Sequence, residues 1–291
     1  MGMRRRTAVA VTASAMAAAL LAAPAASAAD WQDRRGSSSD RGNDLRAYGL
    51  SGNGTMLVRF DTDEPEDARD IGKVAGLSGD TKLIGIDFRV QDGKLYGVGD
   101  AGGVYTLSVR DARATQVSQL TAALQGSAFG VDFNPAADRL RVISDAGQNL
   151  RDDVNPGGVT ATDTSLTYPP AAPIAMGVTA AAYTNNDLDP STGTTLFDID
   201  SMLDQVAIQA PANAGTLSLT GKLGVDAAAD AGFDIYSTVR RGLTVDVEGF
   251  AVLNVGSSPR LFEVALLTGR ATDQGTFRSA VTDIAIELNQ R

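Results

Sequence analysis

From Leu45 to the C-terminus, short apolar runs alternate with clusters of Gly, Asn, Asp and Pro. That is the rhythm of strands and turns rather than of helices. The stretch 83–120 shows the unit most clearly. Leu83–Arg89 (LIGIDFR) is followed by Lys94–Gly99 (KLYGVG), the turn Asp100-Ala101-Gly102-Gly103, Val104–Val109 and Thr115–Leu120. Connections of a few residues join these runs, which predicts a four-stranded antiparallel meander.

The unit repeats. GIDF at Gly85 returns as GVDF at Gly130, AAYT at Ala181, GFDI at Gly232 and VTDI at Val281, at steps of roughly 50 residues, the period of a propeller blade. A second series comprises LVRFD at Leu57, VYTLS at Val104, NLRDD at Asn149, LFDID at Leu196 and LFEVA at Leu261. It keeps a similar step until its last, wider interval. Together the series predict an all-β fold, a closed β-propeller of about five four-stranded blades. The wide interval leaves room for one more hairpin, and so for six.

The ends say how the ring closes. Leu45–Phe60 (LRAYGLSGNGTMLVRF) reads like Lys94–Leu107 (KLYGVGDAGGVYTL), strands two and three of a blade. The first blade therefore lacks its own first strand, while the chain ends with a spare one, Val281–Leu288. The C-terminal strand is predicted to complete the N-terminal blade, hiding edges that would otherwise recruit other strands.

The start of the chain has a different pattern. Arg4, Arg5 and Arg6 precede an uncharged run, Thr7–Ala23, and Ala26-Ser27-Ala28 offers small residues for cleavage. The run is Ala-rich and at the short end of the roughly 17–25 residues of a spanning helix. It predicts a signal peptide over 1–28, cleaved near Ala28, and a secreted, extracytoplasmic product. Residues 29–44 read as a flexible polar lead-in, and 45–291 as the propeller.

Composition narrows the chemistry. The chain has no Cys and no His. No disulfide staples the fold, so a packed core must hold it. Ser-His-Asp and Cys-His catalysis and His-ligated metals are excluded. Carboxylate chemistry, Lys or Tyr chemistry and hard oxygen-ligated cations such as calcium remain. The net charge of −10 becomes more negative once a leader with three Arg and no acid is removed. Nucleic acid and anionic membranes are poor partners for such a surface. The expected partner is an extracytoplasmic protein or a small ligand, with no membrane span and the chain a monomer.

Phe129–Arg151 (FGVDFNPAADRLRVISDAGQNLR) resembles the signature of a bacterial exported family, domain of unknown function 4394. LIGIDFRVQDGKLYGVGDAGGVYTL, AAYTNND, and GTLSLTGKLGVD followed by GFDI resemble it too, in the same order. The resemblance runs from about Asp44 to the end. It implies a propeller-like β fold and export, and no particular reaction.

Four sets of residues are candidates for function. Asp87, Asp132, Asp234 and Asp283 occupy one slot of the repeated first strand, where Tyr183 replaces them once. A repeated side chain usually serves the repeat, which predicts hydrogen bonding to a repeated turn. The other reading is a ring of carboxylates that holds a cation, with calcium as the natural choice. Asn185, Asn186, Asp187 and Asp189 offer oxygens at alternating spacing for calcium, although TNNDLDPSTG is also ordinary turn chemistry. Arg139, Arg141, Asp145, Gln148, Asn149 and Arg151, with Tyr183, form a ligand-binding candidate set. Arg139 and Arg141 share a strand face and suit a carboxylate or phosphate, or salt bridges between blades. Glu263 and Glu287, on predicted strands, are the candidate pair for a glycosidase-like hydrolase. The leading expectation is a non-catalytic binding or interaction module. The alternative is a carboxylate-based hydrolase with calcium.

Overall fold

The computed structural model describes residues 44–170, 173–189 and 191–291. The predicted leader, its cleavage site and residues 29–43 of the lead-in lie outside the described residues.

Apolar alternation with β-branched and aromatic residues produces strands, and Gly, Asn and Asp take most of the positive-φ turn positions. Blade 1 contains β1 (Arg46–Ser51), β2 (Met56–Asp61) and β3 (Arg69–Lys73). Blade 2 is β4 (Leu83–Arg89), β5 (Lys94–Gly99), β6 (Gly103–Leu107) and β7 (Ala114–Gln119). Blade 3 is β8 (Phe129–Asn134), β9 (Arg139–Ser144), β10 (Asn149–Asp152) and β11 (Thr160–Thr162). Blade 4 is β12 (Val178–Tyr183), β13 (Leu196–Asp200), β14 (Gln205–Gln209) and β15 (Leu217–Lys222). Blade 5 is β16 (Ala231–Arg240), β17 (Leu243–Val255), β18 (Ser258–Val264) and β19 (Ala271–Thr276). The last strand, β20 (Val281–Ile286), joins blade 1, whose order is β20-β1-β2-β3. These five four-stranded sheets form a five-bladed propeller.

The predicted closure is present. β20 runs antiparallel to β1, with Ala47 opposite Ile286 and Gly49 opposite Ile284. One prediction needs correction. LFDID at Leu196 is β13, the second strand of blade 4, whereas the other members of its series are third strands. Both middle strands of blade 4 are buried almost throughout, on both faces, so their sequences look alike. The long loop after β12 shifts β13 into the third-strand register of the repeat. The true third strand, β14, restores an even spacing, and the wide interval holds no extra blade.

Five apolar clusters hold the ring, one in each seam. Leu50, Leu57, Ile86 and Tyr105 pack between blades 1 and 2. Tyr96, Val104, Phe133 and Leu140 fill the next seam, and Ile143, Tyr183 and Leu196 the third. Phe197, Ile199, Phe233 and Ile235 join blades 4 and 5. Ala47, Phe60, Tyr236 and Ile284 close the ring between blades 5 and 1. Each such side chain is worth about 1.5–3 kcal/mol when fully buried. The glycine that opens the first-strand motif is required where inner strands crowd together. A Cβ on Gly130 would lie 2.6 Å from the backbone nitrogen of Ala181, and one on Gly232 would overlap the Cα of Asp283.

Among the described residues, no helix is long and apolar enough to cross a membrane.

Candidate functional site

The inner strands bring the repeated aspartates to the middle of the ring. Asp87, Asp132, Asp234 and Asp283 are all buried. Each accepts a hydrogen bond from the inner strand of another blade. Asp283 takes the amide of Ile86 at 2.7 Å, and Asp87 that of Phe133 at 2.7 Å. Asp132 takes the amide of Tyr183 at 3.1 Å, and Asp234 that of Ile286 at 2.6 Å. The structural role expected from repetition is therefore present, with a different partner. These carboxylates stitch one blade to the next, and none of these four bonds serves a turn. Among the described residues, the seam between blades 4 and 5 has no such aspartate stitch, because Tyr183 fills the slot. Asn186 bridges it instead, donating its amide to Ser237 Oγ at 3.0 Å and its side-chain Nδ2 to the carbonyl of Ile235 at 3.3 Å.

The carboxylates also converge. One oxygen each from Asp87, Asp132 and Asp234 lies within 4.8 Å of the others. Burial is the main reason that all four carboxyls resist ionisation, and for Asp87, Asp132 and Asp283 neighbouring carboxylates add to it. Asp234 is pushed up to about 6, and the other three lie well above the usual carboxylate range. An all-oxygen, acidic, buried donor set fits a hard cation such as calcium, and its charge would offset the mutual repulsion.

The loop after β12 uses its oxygens internally. Asp187 accepts from the amide of Thr244 at 2.9 Å and from its hydroxyl at 2.7 Å, tying this loop to the long β16–β17 hairpin. Asp189 accepts from the amide and hydroxyl of Ser191. Asn185 sits at φ 65° and donates to the carbonyl of Gly193.

The signature hairpin is likewise committed to the chain's own groups. Arg139 pairs with Asp153 at 3.0 Å, and Arg151 with Asp163 at 2.9 Å. Arg141 is buried and binds Asp163 at 2.8 Å, Asn149 Oδ1 at 2.7 Å and Asn213 Oδ1 at 2.7 Å, with Tyr183 Oη at 3.3 Å. It therefore crosses the seam between blades 3 and 4. Asp145 accepts from Ser127, and Gln148 donates to the carbonyl of Ala123. Glu263 is exposed on β18, whereas Glu287 follows β20 on blade 1 and pairs with Arg46 at 3.4 Å. The two glutamates stand on different blades.

One residue had no signal in the repeat. Asp198, on β13, is fully buried, and neither carboxylate oxygen has a hydrogen-bond partner among the described residues. Burial raises its pKa well above the ordinary value, against the pull of the Arg141 charge. Only its place between apolar residues inside LFDID could have singled it out.

The molecule is thus a five-bladed β-propeller whose inner strands are laced together by buried aspartates. The model described as "Domain of unknown function" (DUF4394) matches residues 56–285, and the chain belongs to that family. No curated protein matches the chain. Among solved structures it is similar to a protein of unknown function from Bacteroides thetaiotaomicron, with 14% identity over 61% of this chain and 45% of that one, TM-score 0.44. It is also similar to an auxiliary nutrient binding protein from Bacteroides ovatus, with 13% identity, 60% and 46% coverage, TM-score 0.37. A putative 6-phosphogluconolactonase from Bacteroides fragilis shows 12% identity, 86% and 99% coverage, TM-score 0.40. The chain spans about half the length of the first two.

Proposed function

We propose that this chain works outside the cytoplasm as a non-catalytic ligand-binding propeller whose central aspartates hold a hard divalent cation, calcium by preference. The observation that carries the reading is the convergence of Asp87, Asp132 and Asp234 on one point, buried, with one oxygen from each within 4.8 Å of the others. Three like charges at that separation repel strongly out of water, and a cation relieves the repulsion. An extracellular module needs only modest affinity, with dissociation constants on the order of 10⁻⁴–10⁻³ M. The leader sequence supports export, and the lack of His and Cys supports binding over catalysis.

Thermal unfolding in calcium or in chelator tests the cation. At neutral pH, calcium at about 100 times its dissociation constant stabilises by about 2.7 kcal/mol. For a domain of this size each kcal/mol raises the melting temperature by about 2–4 °C. The shift is expected to vanish in Asp87→Asn/Asp132→Asn and to fade at pH 4, where the carboxyls hold their protons. No shift at millimolar calcium would sink the cation. Turnover in a panel of glycosides and esters, lost on Glu263→Gln or Glu287→Gln, would replace binding with the hydrolase alternative.

A further inference from the structure

We infer that the cleft between blades 1 and 2 is a binding site for a small organic polyanion, a molecule bearing two or more carboxylate or phosphate groups on a compact body. The chain as a whole is acidic, at a net −10. Yet this cleft gathers cations. A cavity of about 600 Å³ is walled by Lys94, Arg110 and Arg113. A second cavity of about 440 Å³ is lined by Arg59, Arg69 and Arg110. Val109 and Arg110 border both, so the two cavities adjoin along one groove wall. The volume lies in the usual range for small-molecule sites.

These charges are not spent on the fold. Arg59, Arg69, Arg110 and Arg113 are exposed, and none of their guanidinium groups makes an ion pair or a hydrogen bond among the described residues, although the Arg113 charge acts on nearby Asp111. Lys94 has only Asp92, at 3.7 Å. The acids that line the groove are Glu287, already paired with Arg46, and Asp70. Arg59 and Arg69 stand directly opposite each other on β2 and β3. Like charges in that position destabilise a sheet unless something neutralises them; Asp61, Glu64 and Asp67 line a further small cavity with both arginines but form no ion pair with either among the described residues. By contrast, Arg141, Arg151 and Arg139 of the signature hairpin each have a carboxylate of the chain.

The groove also has the makings of specificity. Guanidinium groups present planar, paired donors to carboxylate and phosphate oxygens. Phe88, Leu95, Leu107 and Leu288 supply an apolar floor, and Thr106 and Thr115 supply hydroxyls. A floor of that kind suits an organic body better than a bare inorganic ion. Sequence reading overlooked these arginines because blades 1 and 2 contribute them from separate segments. The one available signal was Arg59, on a predicted strand of the first blade, with Arg69 ten residues further on.

The inference rests on the binding reading above and is independent of the axial cation. Calorimetric titration of the full chain at low salt tests it, with tricarballylate as the carboxylate probe, glycerol phosphate as the phosphate probe and glycerol as the neutral control. Binding of either anion, with none of glycerol, is expected, and the tighter probe identifies the group recognised. Arg110→Gln/Arg113→Gln and Arg59→Gln are each expected to weaken that binding by about tenfold or more. Arg240→Gln, on the blade 5 hairpin, is expected to leave it unchanged. No binding of either anion, or equal losses in Arg240→Gln, would overturn the assignment. The calcium-dependent melting shift, measured in the same variants, separates the two ideas. If it persists while anion binding is absent, the groove fails and the cation stands. If anion binding persists without it, the reverse holds.

Discussion

Asp198 shows what a single buried carboxyl does to this fold. It lies on a middle strand between two blades, with no hydrogen-bond donor for either oxygen among the described residues. A buried charge without partners is costly, so the group holds its proton instead. Its pKa in the folded chain is above the unfolded value. The stability tied to that proton is present below the unfolded pKa and is lost as pH rises through the folded one. Asp198→Asn keeps the shape and removes the ionisation. Melting temperature at pH 8 is expected to rise by about 2–4 °C, with little change at pH 4. A loss of stability at both pH values would show that the carboxylate is ionised and paired. Arg141, nearby, illustrates the opposite solution: a buried charge surrounded by Asp163, Asn149 and Asn213.

At the level of elements, closure rests on β20. It supplies the inner strand of blade 1, stacks Val281, Ile284 and Ile286 in the last seam, and carries Asp283, which reaches blade 2. Deleting Val281–Arg291 therefore removes a seam cluster and an inter-blade stitch, and it exposes the edge of β1. The expected result is loss of the cooperative melting transition of the whole domain, read by circular dichroism. A truncated chain that melts within a few degrees of the full one would refute that. This closure was legible in the sequence, because two end segments each matched a known part of the repeat. The assignment of LFDID was not. The two middle strands of a blade share one apolar vocabulary, and the long loop between Tyr183 and Leu196 is held by contacts to another blade, Asn186 to Ile235 and Asp187 to Thr244. Such contacts leave no periodic trace.

The whole molecule turns four separate aspartates into one titrating centre. Without a bound cation, each group is destabilised as it ionises, and Asp234 does so at about pH 6. Their folded pKa values lie above the unfolded ones, so the stability tied to these protons is full below the ordinary carboxylate range and is lost as pH rises through about 6 for Asp234 and higher for the other three. Acids held low by ion pairs, such as Asp138 beside Arg89, act in the opposite direction, but only near and below the ordinary carboxylate range. In chelator, the melting temperature is expected to fall between pH 5 and pH 8, and calcium is expected to flatten that slope. A melting temperature that climbs over the same interval would show that the centre is ionised and satisfied by protein groups alone.

The sequence by itself determined the strand rhythm, the number of blades to within one, the closing strand and the chemistry ruled out by the absence of His and Cys. These are local or periodic properties, and each leaves its mark in residue order. Only the tertiary structure decided that the repeated aspartates reach across to neighbouring blades and meet near one point. It also consumed the signature arginines in internal pairs and left others, from blades 1 and 2, unpaired along one groove. Side chains distant in sequence acquire their partners only when the ring closes, and charge and burial are set by those partners.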